Sequence, residues 1–381
     1  MASNSIVLKD TTYNGVSSIE VPVSGGGSAL FTDVSDTTAA AADVAQGKYF
    51  YTAAGAKTQG TAAGGSDDGS FKAIIEGTAT SPTLPSDLTA IRNYAFYYLS
   101  SLSSVDIPSG VTSIGNYAFY RCSNLETASL PSTLTSIGDN AFYMCSKFDV
   151  SSLPNSLQTI GSYAFYRCSE LSISSLPANL KTIGQYAFDS CSKITITSVP
   201  SGVTKIANYS FQECDGITQM SLPNTVTSLS NGAFYGCSNM ETFTASGALT
   251  TIGSQAFRNC SKLTDARFPN ASISSFPSNA FMGCGKLEIV DIGNTSSIPA
   301  SAFANCYKLQ TLVLRKTGSI CTLANVSAFT STPMSGYNSL TGTVYVPSAL
   351  ISTYQAASNW STLYNNGTLT FAAIEGSQYE L

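Results

Sequence analysis

Histidine is absent from the 381 residues, and tryptophan occurs once. Without an imidazole no Ser–His or Cys–His pair can activate a nucleophile, and the commonest neutral metal ligand is missing. Charge is scarce as well: 11% of residues are Asp, Glu, Lys or Arg, and the net charge is −5. With no basic patch to neutralise a phosphate backbone, nucleic acid is not an expected partner. No run of about 18 apolar residues occurs, so no membrane insertion is expected. MASNSIVLKD lacks the basic and then apolar segments of a signal peptide, and EGSQYEL carries no anchoring or lipidation pattern. Carboxylates are scattered, with Asp265 and Asp291 the nearest approach to an acid pair, and no GxxxxGK[ST] loop is present. The chain is therefore expected to be no enzyme and to need no cofactor or metal.

What the sequence does hold is repetition. SIGNYAFYRCSNLETASLPSTLT spans 113–135, SIGDNAFYMCSKFDVSSLPNSLQ spans 136–158 and TIGSYAFYRCSELSISSLPANLK spans 159–181. The phenylalanine of the AF pair recurs every 23 residues from Phe96 to Phe257, then falls at Phe281 and Phe303. A period of roughly 20–29 residues marks a solenoid whose units bury one another's apolar faces. An apolar residue precedes each Phe by five, as at Ile91, Ile114 and Ile137. A Thr/Ser-rich run closed by Pro108, Pro131, Pro154 or Pro177 reads as a short strand, since proline gives no N–H to a ladder. The IGxxAFxxC half has apolar residues at turn-like spacing and reads as a short helical or 3₁₀ segment.

Three residues after the Phe stands a cysteine: Cys122, Cys145, Cys168, Cys191, Cys214, Cys237, Cys260, Cys284 and Cys306. The first unit has Leu99 there, so the position reads as buried and apolar. Nine is odd, neighbouring side chains in parallel coils point alike, and Cys321 lies outside the pattern. The cysteines are expected as a reduced structural ladder rather than disulfides or metal ligands. Burial alone predicts that Cys191→Ser costs more stability than Cys191→Ala.

The unit IGxxAFxxCxxLxxxxLPxxLxx, carried in ten successive copies over 84–314, resembles the BspA-like leucine-rich repeats of bacterial surface proteins and bacteriophage proteins. The resemblance implies an α/β solenoid of short parallel strands with an adhesive or binding role and no enzymatic one. Residues 341–360, TGTVYVPSALISTYQAASNW, resemble the segment that closes such arrays. Residues 33–61, DVSDTTAAAADVAQGKYFYTAAGAKTQGT, resemble a short module of phage tail and fibre proteins. The expected organisation is a β-rich virion-attachment module at 1–61, a flexible linker at 62–70, the repeat solenoid at 71–314 and a C-terminal cap at 315–381. In the cap, Leu350, Ile351, Tyr354, Ala357 and Trp360 form one helical stripe, expected to seal the last coil near Leu309 and Leu312.

Two surfaces can bind. Tyrosine recurs two before the Phe, at Tyr94, Tyr117, Tyr163, Tyr186 and Tyr209, and one after it, at Tyr97, Tyr120, Tyr143, Tyr166 and Tyr235. On a helical turn these positions share a face, which either covers the seams between coils or binds a sugar or protein. Tyr94, Tyr97, Tyr117, Tyr120, Tyr163 and Tyr166 are the ligand candidates there. On the strand side Ser129, Ser152, Ser175, Ser198, Ser221 and Thr244 make a hydroxyl track, broken further on by Arg267 and Asp291, which join the candidates. In the middle units the strand register is open, because Val150, Ile173 and Ile196 compete with Ser151, Ser174 and Thr197 for the inward position. The resemblances and the missing export signals together lead to a phage virion protein of fibre or decoration type. It would contact other virion proteins through its N-terminal module, bind a host-surface or environmental glycan or protein, and form homo-oligomers if it follows other fibres. A cell-surface or secreted adhesin, or a purely architectural head or tail component, are the alternatives.

Overall fold

The computed structural model describes residues 80–381 apart from 246 and 248, together with six short strands between residues 5 and 59. Those six pair as antiparallel hairpins: Ser5–Leu8 with Thr11–Asn14, Ser18–Val23 with Gly27–Thr32, and Tyr49–Tyr51 with Lys57–Gln59. The linker expected at 62–70 and the strand expected from Phe71 lie outside the described residues.

From residue 80 the chain winds into a parallel β-solenoid, whose coils are numbered here by their phenylalanines, Phe96 in coil 1 to Phe303 in coil 10. One ladder is built from the dipeptide that ends at the conserved apolar position. Ile137 lies opposite both Ile114 and Ile160, a shift of one repeat each way. The other ladder follows the cysteine. It begins with Ser104–Asp106 beside Thr127–Ser129 and resumes as seven parallel strands from Gln219–Leu222 to Leu369–Ala373.

The gap between the two stretches falls in the middle coils. There Ile173 and Ile196 are buried and Val150 half-buried, while Ser151, Ser174 and Thr197 are exposed. In a regular coil the fourth residue turns inward instead, as Ala128 does between Thr127 and Ser129. Because side chains alternate with period two, the apolar residue at the third place forces the slip, and the ladder is lost locally.

The AF side is not helical. Its backbone is a pair of linked turns, with left-handed residues two before and two after each Phe, such as Tyr117 (φ 57°) and Arg121 (φ 57°). Alternate amides divide the work. Tyr117, Phe119 and Arg121 donate to carbonyls of the next coil, on Asp139, Ala141 and Tyr143; Ala118, Tyr120 and Cys122 close three-residue turns within their own coil. A helix would spend all of these amides internally. The turn pair frees half of them to hold coils together, which the spacing of apolar residues does not reveal.

Inside, the Phe rings from Phe96 to Phe329 stack at 4.8–5.7 Å, tilted from one another by no more than 11°. All ten cysteines are free and buried. Each of the nine ladder thiols donates to the carbonyl of the preceding coil's Phe at 2.9–3.1 Å, from Cys122 on Phe96 to Cys306 on Phe281. Leu99 has no preceding AF turn in the array to serve, so an aliphatic side chain suffices there. Burial pushes the thiols of Cys145, Cys191, Cys214, Cys237 and Cys260 far above their ordinary range, which leaves them unreactive.

The coils do not stop at 314. Thr322–Leu323 pairs with Ser297–Ile298, Phe329 stacks on Phe303, and Gly342–Val346 and then Leu369–Ala373 extend the strand ladder. Irregular spacing hid these coils from the period: 26 residues separate Phe303 from Phe329. The single helix expected at the end is two, Ile351–Ala356 and Trp360–Asn365, broken by Asn359 (φ 63°). Trp360 is fully buried, but against Phe329, Tyr354 and Phe371, and its indole N–H donates to the Cys321 carbonyl at 2.8 Å.

Two stability tests follow from this packing. Cys191→Ala should cost about 1–2 kcal/mol for the cavity and the lost donor. Cys191→Ser keeps a donor toward Phe165, so in urea titrations it should cost no more than alanine, reversing the expectation from burial alone. Trp360, as the only indole, should emit in the blue in the native state, resist acrylamide and shift red on unfolding; a red native emission would place it at the surface.

Candidate functional site

The turn face gathers the tyrosines into two columns. In the first, two before the Phe, Tyr94 stacks on Tyr117 at 5.0 Å, and Tyr163, Tyr186 and Tyr209 stack in succession at 4.7 and 4.9 Å. In the second, one after the Phe, Tyr97, Tyr120, Tyr143 and Tyr166 stack at 5.0, 4.7 and 4.7 Å. The columns touch edge to face or at a tilt, as Tyr94 does Tyr97 at 5.4 Å and Tyr163 does Tyr166 at 5.8 Å. These rings are half-buried: they seal the seams and still present their outer edges. The six tyrosine candidates are thus brought together, by paired turns rather than by a helical turn.

A third column, two after the Phe, was missed from sequence. Tyr98 is 49% exposed. The Arg121 guanidinium lies over the rings of Tyr98 and Tyr120, and that of Arg167 over Tyr166. The signal was present in YAFYYL and in the two copies of YAFYRC, but a helical reading turns that position away. Among the described residues neither arginine has a carboxylate within ion-pairing distance. Burial, and secondarily neighbouring phenols, pushes Tyr97 up to about 12, and burial raises Tyr94, Tyr120, Tyr163, Tyr166 and Tyr186 as well. Those phenols are neutral donors and acceptors at physiological pH.

The second column ends at coil 5, where Asp189 takes the tyrosine's place and is buried. Ser190 Oγ lies 2.7 Å from Asp189 Oδ1 and 3.2 Å from Glu213 Oε2. One hydroxyl proton cannot serve both carboxylates. Ser190 donates to Asp189 through the shorter contact, which leaves the Glu213 carboxylate close by without that proton. Desolvation first, opposed by the Ser190 hydrogen bond and by Arg167 and reinforced by Glu213, raises Asp189 to about 6.

The strand-side candidates fare differently. Asp291 is buried and held by Arg315, whose Nε and Nη2 lie 2.8 and 2.7 Å from Oδ2, while the Gly293 amide donates to Oδ1. It is spent on structure and is withdrawn as a ligand group. Arg267 is clamped by Asp265 through Nε and Nη2, and is aligned with Asp291 on the next strand. The outward Ile289 and Val313 are covered by Ile374 and Tyr379 of the C-terminal segment. The break in the hydroxyl track is therefore a docking place for the chain's own end. Ser129, Ser152, Ser175, Ser198, Ser221 and Thr244 are all exposed.

Short in-register parallel strands, an inward Phe–Cys core and a turn face of fixed period define a leucine-rich repeat solenoid. The BspA type leucine rich repeat region matches residues 75–195 and 204–334, in six copies, and the chain belongs to that family. Its fold is similar to that of a leucine-rich repeat protein from Bacteroides ovatus (19% identity, 78% of this chain and 92% of that one, TM-score 0.40). It is also similar to a leucine rich cell surface protein from Faecalibacterium prausnitzii (22%, 75% and 91%, TM-score 0.38) and to the T. pallidum leucine rich repeat protein TpLRR (28%, 48% and 77%, TM-score 0.35). No curated protein matches the chain in sequence.

Asp189 makes the stability of the solenoid depend on pH with a definite sign. Its folded-state pKa is above its unfolded value of 3.8, so the folded chain holds the extra proton between about pH 4 and 6. Its contribution is complete below pH 4 and is lost as pH rises through 6, a swing of up to roughly 3 kcal/mol. Asp189→Asn should flatten this part of the profile in denaturant melts at pH 4 and pH 8; an unchanged profile would show that Asp189 titrates normally.

Proposed function

We propose that the chain is a non-enzymatic binding protein whose tyrosine face engages a glycan or protein at a bacterial surface. One observation carries this reading. Six of the eight left-handed positions in coils 7–10 hold glycine or asparagine, Gly232, Gly236, Asn259, Asn279, Gly283 and Asn305, residues suited to that backbone, with Gln255 and Ser301 at the other two. Eight of the twelve in coils 1–6 hold tyrosine or arginine, Tyr94, Tyr98, Tyr117, Arg121, Tyr163, Arg167, Tyr186 and Tyr209, with Asn140, Met144, Ser190 and Glu213 at the rest. A left-handed non-glycine residue costs roughly 1–2 kcal/mol. The later coils close the same turns without these side chains, and strain kept in one half of a repeat array supports a functional surface there.

We place the protein on a phage particle, as a fibre or decoration protein attached through its N-terminal region, on the resemblance of residues 33–61 to a module of phage tail and fibre proteins. Membership of a family with bacterial surface proteins supports the second reading, a cell-surface or secreted adhesin. Detection in purified virions, or on intact uninfected cells, decides between them. The binding reading has its own test. Tyr98→Gly with Arg121→Gly should leave the melting transition unchanged or raise stability by up to about 1 kcal/mol while weakening attachment to host cells at least tenfold. Undiminished attachment would end the assignment of this face.

A further inference from the structure

The first tyrosine column has a missing rung. Coils 2 and 4 both carry YAFYRC, giving Tyr117 with Arg121 and Tyr163 with Arg167; coil 3 between them has Asn140 and Met144 at the corresponding places. Tyr117 is stacked on Tyr94 on its far side, within 2°, and Tyr163 on Tyr186 on its far side, within 8°. Their other faces therefore look toward coil 3 from either side. Two coil spacings separate them, about 10 Å, which is the thickness of one inserted ring plus a stacking contact on each side. Tyr143 flanks the gap, tilted to Tyr163 at 6.4 Å, and the half-buried Asn140 holds the place of the missing ring. Within the columns the other ring faces are stacked on each other, column ends such as Tyr166 and Tyr209 apart. Here two faces oppose each other across a single coil.

Resting on the binding role proposed above, the geometry points to this slot as the seat of one pyranose ring of an acidic glycan, with Tyr117 and Tyr163 as its walls. The C–H faces of a sugar suit two tyrosine faces, and its hydroxyls suit the Asn140 amide. An aromatic side chain from a protein would fit the width but would leave that amide without partners. Beyond the second column, Arg121 and Arg167 stand in the same two coils as the walls, without a carboxylate partner among the described residues. Guanidiniums in this setting match the carboxylate or sulfate of a neighbouring sugar. Arg167 also lies within electrostatic reach of Asp189, which bounds the site toward coil 5. The chain as a whole is acidic, so attraction to a polyanion has to come from this local pair of charges.

Asn140→Tyr tests the slot by filling it. The added ring completes a column already made of tyrosines in left-handed backbone, and Asn140 itself has φ 56°. Stacking on two ring faces should offset most of the strain that a tyrosine adds at this left-handed position, so stability should change little. With heparin, hyaluronan and neutral maltohexaose oligosaccharides as probes in titration calorimetry, at least one acidic probe should bind the unaltered protein more tightly than maltohexaose. That binding should fall at least tenfold in Asn140→Tyr and in Arg121→Gln/Arg167→Gln, and severalfold in Asn140→Ala. Heparin and hyaluronan separate sulfate from carboxylate preference. Binding unaffected by Asn140→Tyr overturns the slot, as does a loss of stability larger than the strain of one left-handed tyrosine, since the slot would then be occupied. If Tyr98→Gly with Arg121→Gly abolishes cell attachment while no acidic probe binds, the face stands as the binding surface and the acidic-glycan inference fails. If neither set of variants changes any binding, both readings fail together.

Discussion

One distance governs the molecule: the separation of successive coils, set where hydrogen-bonded strands and stacked phenylalanine rings agree. Parallel strands lie roughly 4.8 Å apart, and the Phe rings stack at 4.8–5.7 Å. Neither could be altered without straining the other. The thiol contacts depend on the same distance, because each cysteine must reach back to the preceding Phe carbonyl at about 3 Å. So do the turn amides of Tyr117, Phe119 and Arg121, which bond only if the next coil is in register. The tyrosine columns inherit this spacing without having to establish it. A surface of evenly spaced rings is thus a by-product of the core, available for use wherever the turn positions carry rings.

What was legible in the sequence was whatever repeats. The positions of Phe96 to Phe303 and of the cysteine ladder follow from the period, whereas the dipeptide ladder at Ser113–Ile114, Ser136–Ile137 and Thr159–Ile160 falls in the half whose spacing reads as helical. The conformation of the AF segment was not legible, since apolar residues at helical spacing are equally compatible with two linked turns, and only the left-handed backbone at Tyr117 and Arg121 tells them apart. Residues 315–373 were misread for the opposite reason: the coils persist but their lengths vary, so the period disappears while the ladder does not. Asp291 looked like a departure with a purpose. Its partner, Arg315, is 24 residues on, beyond the repeat in which Asp291 was being compared. The rung missing at Asn140 was visible in the spacing of the tyrosines, but its meaning required knowing that the column stacks.

The two halves of the array solve the same backbone problem differently. The later coils place glycine or asparagine in most left-handed positions, Gln255 and Ser301 excepted, and gain a more relaxed turn with little displayed on it. The earlier coils accept strain and display phenols and guanidiniums. Natural proteins tend to sit just above the stability they need, and a repeat array has stability to spare because each interface contributes separately. Such an array can carry several strained positions in adjacent coils, where a small single-core domain could carry few. The functional surface is therefore best sought where the repeat is locally unfavourable, not merely where it varies.

That criterion separates the two faces of the solenoid. On the strand side the departures from the repeat, Ile289 and Val313 pointing outward and Asp291 turned to Arg315, are each answered from within the chain: Ile374 and Tyr379 cover the first two and Arg315 neutralises the third. A departure with an internal partner is explained by folding. On the turn side the charged departures have no ion-pair partner among the described residues. Arg121 and Arg167 lie over tyrosine rings without a counter-ion among the described residues, Tyr98 is half open to solvent, and Tyr117 and Tyr163 turn bare faces to the place where Asn140 interrupts their column. Strain of order 1 kcal/mol per residue, kept at several neighbouring positions and offset among the described residues only by ring stacking and arginine–ring contacts, marks this face as the place for the proposed contact outside the molecule. The repeat thus supplies both the scaffold and the reference against which the binding surface stands out.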